Sequence, residues 1–227
     1  MTDYSRFAVY HAPAPGPLAT FCAGWLGHDP VTGQTCPHPE IPGLPRPVDE
    51  ITATPRKYGF HGTLKPPFRL TGPRGALEAD LAALAARLSP VEMPGLSLTR
   101  LGSFLALTPE GDTAPLAQLA AQVVRSLDGH RQPPQPAELE RRRQARLTPR
   151  QEENLLRWGY PYVMDDFRFH LTLTGKLSRA EAEQTAEALR PVLAPLLPRP
   201  FRVDALCLFG EAADGRFHQL ARYPLGG

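Results

Sequence analysis

Apolar and polar positions divide the chain into short strands and amphipathic helices. Phe7-Ala8-Val9-Tyr10 is an apolar run of strand length. Leu18 to Leu26 is apolar at helical density, with Gly27 placed to end it. From Pro30 to Pro55 proline, glycine and polar residues replace the periodic pattern, predicting a long irregular loop of the kind that often covers a site. Ala76 to Leu88 is a strong helix former. Leu96 to Leu101 alternates in strand fashion, and Phe104 to Leu107 follows after Gly102 as the return arm of a hairpin. Pro115 to Leu127 predicts a helix with proline in its first turn. Thr148-Pro149 opens another that Gly159 closes, and Ser178 with Glu181 forms a capping box for a third, which Pro191 should end or kink. Val203 to Phe209 and Phe217 to Tyr223 complete the pattern as strands. Strands mixed with outer helices in each half suit an α+β fold.

One strand pattern is written twice. Phe60-His61-Gly62-Thr63-Leu64 and Phe169-His170-Leu171-Thr172-Leu173 lie close to half the chain apart. Alternate side chains of a strand point to opposite faces, so His61 and Thr63 share one face, and His170 and Thr172 repeat this. Phe60, Leu64, Phe169, Leu171 and Leu173 form the apolar backs. One His-x-Thr triplet arises easily by chance; two with matching flanks at this interval do not. By the same parity Lys65 joins the first front, and Arg168 and Thr174 the second, as phosphate-binding candidates. Tyr58, Tyr160 and Tyr162 lie close enough in sequence to line a cleft.

The double motif resembles the two-histidine (2H) phosphoesterase superfamily. Arg56-Lys57-Tyr58-Gly59-Phe60-His61-Gly62-Thr63-Leu64-Lys65-Pro66-Pro67-Phe68 and Phe167-Arg168-Phe169-His170-Leu171-Thr172-Leu173-Thr174-Gly175 are similar to the signatures of one subfamily, encoded in bacterial phosphonate-utilisation operons. Arg157-Trp158-Gly159-Tyr160-Pro161-Tyr162 adds to the likeness, which runs over nearly the whole chain. Gly62 stands where the resemblance leads us to expect alanine. The resemblance implies a bilobal fold over residues 1–227, with two pseudo-twofold-related lobes of antiparallel sheet, outer helices and a central cleft. Gly129 to Pro136 is the natural hinge, near 129–137. It further implies a cyclic phosphodiesterase-like hydrolase, with His61, Thr63, His170 and Thr172 catalytic.

Composition narrows the partners. A net charge of +2 gives no general drive toward nucleic acid or membrane, and the basic run Arg141 to Arg143 reads as a solvated helical face balanced by Glu138 and Glu140. Three cysteines without paired spacing and a start lacking signal-peptide character point to the cytoplasm. Cys22, His28, Cys36 and His38 fit no closed zinc pattern. No metal or other cofactor is expected, and the partner is a small cyclic phosphate or phosphonate-derived molecule.

The chemistry of the front-facing groups agrees with this class. Opening a cyclic phosphodiester needs one base and one acid, and two imidazoles supply both near neutral pH. Either can be the base. Thr63 and Thr172 can donate to the charge that builds on the non-bridging oxygens. RNA-end processing of 2′,3′-cyclic phosphates and a non-catalytic nucleotide- or phosphonate-binding module are the competing readings.

Overall fold

The computed structural model describes residues 4–227. The strand β1 (Phe7–His11) leads into α1 (Pro17–Leu26), which Gly27 ends in the left-handed conformation. The proline-rich stretch then holds one short helix, α2 (Val48–Thr52). A 3-10 turn at Arg56–Tyr58 delivers the chain to β2 (Gly62–Phe68), followed by α3 (Arg74–Ala85), β3 (Val91–Met93), the hairpin β4 (Leu96–Leu101) and β5 (Phe104–Pro109), and α4 (Ala114–Ser126). Next come α5 (Pro136–Arg143), α6 (Pro149–Trp158), the two-residue β6 (Leu171–Thr172) and α7 (Arg179–Leu193). β7 (Phe201–Val203), β8 (Ala205–Glu211) and β9 (Phe217–Pro224) complete the chain. Both α6 and α7 open on capping boxes, Thr148 with Gln151 and Ser178 with Glu181. Pro191 lies inside α7, whose helix continues to Leu193.

Seven strands form one antiparallel sheet in the order β4-β5-β6-β2-β1-β8-β9, and β3 pairs with β7 separately. The two motif strands are neighbours, joined through Gly62 and Leu171. That single pair unites β2-β1-β8-β9 with β4-β5-β6. On one face, α3, α4 and α7 pack across the sheet and share its main core, which includes Phe60, Leu64, Phe169, Leu171 and Leu173. The apolar backs of both motifs are therefore anchored as their parity requires. On the other face, Ala8, Tyr10, Cys207, Phe209 and Phe217 make a smaller buried cluster with Tyr58 against it. β1 is buried on both faces, which explains its unbroken apolar run.

Gly62 has a steric role at the join. A Cβ there would fall within the van der Waals shell of the buried Phe169 ring. Alanine is therefore not an equivalent small residue at this position. Gly62→Ala is expected to cost about 1–3 kcal/mol of stability through overpacking. Urea unfolding checks this, and an unchanged midpoint and slope would show that Phe169 yields freely.

Candidate active site

A cleft of about 770 Å³ opens on the sheet face opposite α3, α4 and α7 and is lined by His61, Thr63, His170 and Thr172. The reason is register. Extending the antiparallel Gly62–Leu171 pairing by one residue each way sets His61 opposite Thr172 and Thr63 opposite His170. That register brings the two motifs side by side at the cleft.

The imidazoles are held alike. His61 Nδ1 donates to the Gly59 carbonyl at 2.9 Å, and His170 Nδ1 donates to the Arg168 carbonyl at 2.8 Å. Both acceptors lie two residues upstream. With Nδ1 occupied as a donor, Nε2 is the nitrogen left for chemistry on each ring. Tyr10, opposite Thr63 on β1, stacks on His61 with centroids 3.9 Å apart. Burial drives the His61 pKa down to about 4, and the neighbouring His170 pushes in the same direction. His61 is therefore neutral at pH 7, with an available Nε2 lone pair.

The remaining candidates separate. Tyr58 lines the cleft 5.9 Å from the His61 ring. Arg168 lines it too, and its Nη1 donates to the carbonyls of Phe167 and Asp165 at 2.7 and 3.2 Å. Thr174 reaches the cleft, but its hydroxyl is engaged by backbone, accepting from Leu105 N–H and donating to the Gly175 carbonyl, both at 2.9 Å.

Lys65 lies on the opposite face. Tyr10 pairs with Thr63 but Val9 pairs with Lys65, so a bulge at Leu64 reverses the alternation. Lys65 is buried beneath α4, its Nζ 3.2 Å from the Val124 carbonyl and 3.4 Å from Asp128 Oδ1. Burial lowers its pKa to about 8, against the opposing pull of Asp128. Asp128 is independently held by Arg131. Lys65→Met is accordingly expected to leave turnover unchanged; a loss matching that of a cleft residue would contradict this placement.

Sequence reasoning missed several lining groups. Arg141 and Arg142, read as part of a solvated face, line the cleft from the end of α5; Arg143 alone turns outward to Glu140 and Glu152. Lys57 and Arg6 also line it. The proline-rich stretch contributes only its last residues, Thr54 and Pro55. Its middle folds onto α1 instead, where His38 Nδ1 meets the carbonyls of Gly24 and Trp25 at 3.1 Å. His28 is likewise turned to a carbonyl, that of Phe217 at 3.1 Å. Among the described residues no helix is long and apolar enough to cross a membrane.

Residues 63–218 match the family described as a protein of unknown function (DUF1045). The chain is 35% identical over 234 residues to a Janthinobacterium sp. (strain Marseille) protein named ribose 1,5-bisphosphate phosphokinase PhnN, covering 98% of this chain and 51% of that one. A protein of the same name from Laribacter hongkongensis (strain HLHK9) is 31% identical, with 96% of this chain and 51% of the relative covered. The chain thus spans about half the length of these curated relatives. Among solved structures, E. coli LigT complexed with 3′-AMP aligns over 99% of this chain and 100% of its own, at 16% identity and a TM-score of 0.46.

Proposed function

We propose that this chain, which belongs to the DUF1045 family, is a phosphoesterase that opens a small cyclic phosphodiester by acid–base catalysis between His61 and His170. The duplicated setting carries the reading: two imidazoles, each tied through Nδ1 to the carbonyl two residues upstream, share one cleft with two threonines. The sequence resemblance to the 2H phosphoesterases points the same way.

In this mechanism His61 is the base, because burial keeps it neutral. Its Nε2 takes a proton from water as the water oxygen bonds to phosphorus. The bond from phosphorus to one ring oxygen breaks, and that oxygen receives a proton from His170. Thr63 and Thr172 donate hydrogen bonds to the non-bridging oxygens, where charge increases. The product is a phosphomonoester, and solvent exchange restores both imidazoles. A proton on His170 disfavours a second on His61, so the two rings are not charged together.

The relatives' name suggests the substrate class. This sequence has no Gly-x4-Gly-Lys-Ser/Thr phosphate-cradling run, and it spans only about half of the relatives that carry the kinase name. Opening a cyclic phosphodiester on a ribose phosphate yields a ribose phosphate ester, the class of compound in that name.

The test combines size preference with chelation. A sugar or mononucleoside cyclic phosphate should be turned over in excess chelator, with modest salt dependence, and faster than an oligonucleotide bearing the same end. A steep salt slope with faster turnover of the oligomer would favour RNA-end processing. Activity lost to the chelator and restored by one metal would overturn the metal-independent mechanism.

A further inference from the structure

The cleft holds more positive charge than one reacting phosphate requires. Besides Arg168 and Lys176 on the His170 side, it is lined by Arg6, Lys57, Arg141 and Arg142. These four gather at one end. Arg6 and Arg141 also line an adjoining cavity of about 390 Å³ that includes Glu211, and Lys57 acts electrostatically on Glu211. Arg142 stacks over the Tyr160 ring at 4.5 Å, and Tyr160 in turn feels Tyr58.

The groups differ in how far they are already neutralised. Arg6 is paired with Glu211, and Arg142 reaches Glu138 at 3.5 Å. Among the described residues Lys57 and Arg141 have no carboxylate partner within ion-pair distance. The Nε of Arg142 is buried and has no hydrogen-bond partner. Two cations without a carboxylate partner beside Arg142, whose ion pair to Glu138 is long, make a place for an anion, and arginine forks match phosphate oxygens. The Tyr58 ring lies 5.9 Å from the His61 ring and 4.8 Å from Lys57 Nζ. Tyr58 is thus close both to His61 and to Lys57 of the cationic end.

We infer that Lys57, Arg141 and Arg142 form a second anion subsite, which binds a phosphomonoester carried on the same small molecule as the cyclic phosphodiester. The inference rests on the phosphodiesterase reading for its first subsite and extends it to a bisphosphorylated substrate. Arg6, held by Glu211, borders the subsite and adds to its field. The non-reacting phosphate fixes the sugar so that the cyclic phosphate lies between the imidazoles, and its binding energy is available for orientation.

The test is calorimetric, so it does not depend on turnover. Ribose 1,5-bisphosphate and ribose 1-phosphate are titrated into wild type, a Lys57→Ala/Arg141→Ala double variant and His61→Ala, with circular dichroism confirming that each is folded. Wild type should bind the bisphosphate at least about tenfold more tightly, the size of one lost charge-assisted contact. The double variant should bring the two affinities to within about twofold, and His61→Ala should keep the preference. Equal affinities in wild type, or a preference that survives in the double variant, would overturn the subsite. Failure of wild type to open any cyclic phosphodiester, with the bisphosphate preference intact, would instead remove the phosphodiesterase reading and leave the subsite standing.

Discussion

Replacing His61 or His170 with alanine lowers turnover of a cyclic phosphodiester by about 10²–10⁴-fold, the usual contribution of a positioned acid or base. The two losses do not multiply. Once one imidazole is gone, the concerted transfer through the other has no counterpart, so the double variant falls only a little below the worse single one. The pair is also distinguishable by pH. Activity depends on neutral His61, so the acid limb of kcat/KM lies near pH 4 and is absent from the residual activity of His61→Ala. Steady-state kinetics on the three variants checks both statements. Near-normal turnover in either single variant would remove that residue from the mechanism.

Acid costs the fold about 3 kcal/mol through His11 alone as the pH drops from about 6.5 to about 4. His11 is 3% exposed at the end of β1, edge-on to Phe201 at 5.2 Å, and its Nδ1 has no partner. Burial holds its pKa at about 4, with Arg222 acting in the same direction and Asp204 opposing. The folded pKa lies below the unfolded value, so the unfolded chain binds the extra proton first. The contribution is complete above pH 6.5 and is lost as the pH falls through the folded pKa. His61 titrates in the same direction and adds to the slope. Urea unfolding of wild type and His11→Phe at pH 7 and pH 4.5 isolates the His11 share: wild type should lose more stability between these values than the variant. Parallel losses would show that His11 is not the titrating group.

The proposed catalytic pair was legible because strand parity is local. Phe60 and His61, and Phe169 and His170, sort themselves onto opposite faces without reference to the rest of the chain, and the structure keeps that sorting. Parity failed at Lys65 because a bulge depends on the partner strand: Leu64 is extra only relative to Val9 and Tyr10. Pro66 and Pro67 cannot donate to a strand ladder, but they do not give the phase of a bulge before them.

Helix starts at Thr148 and Ser178 were legible for the same local reason, since capping boxes are short-range hydrogen-bond patterns. Pro191, expected to end or kink its helix, does not end it: α7 runs on to Leu193. The three-residue strands β3 and β7 were too short to show a period of their own. The sequence resemblance anticipated the antiparallel sheet and the cleft, whereas the continuity of the sheet through Gly62 and Leu171 depends on contacts that no periodicity encodes. Arg141 and Arg142 were the largest omission. A basic run beside Glu138 and Glu140 has the pattern of a solvated helix, and only tertiary packing of α5 distinguishes its cleft-facing residues from Arg143.

The most direct measurement is a phosphorus NMR time course of the purified chain with a panel of sugar and mononucleoside cyclic phosphodiesters, in excess chelator. The two-histidine mechanism predicts that the cyclic diester resonance of at least one member gives way to a phosphomonoester resonance, and that the His61→Ala/His170→Ala variant leaves it in place. No conversion of any member by folded wild type, or equal conversion by the double variant, would contradict it.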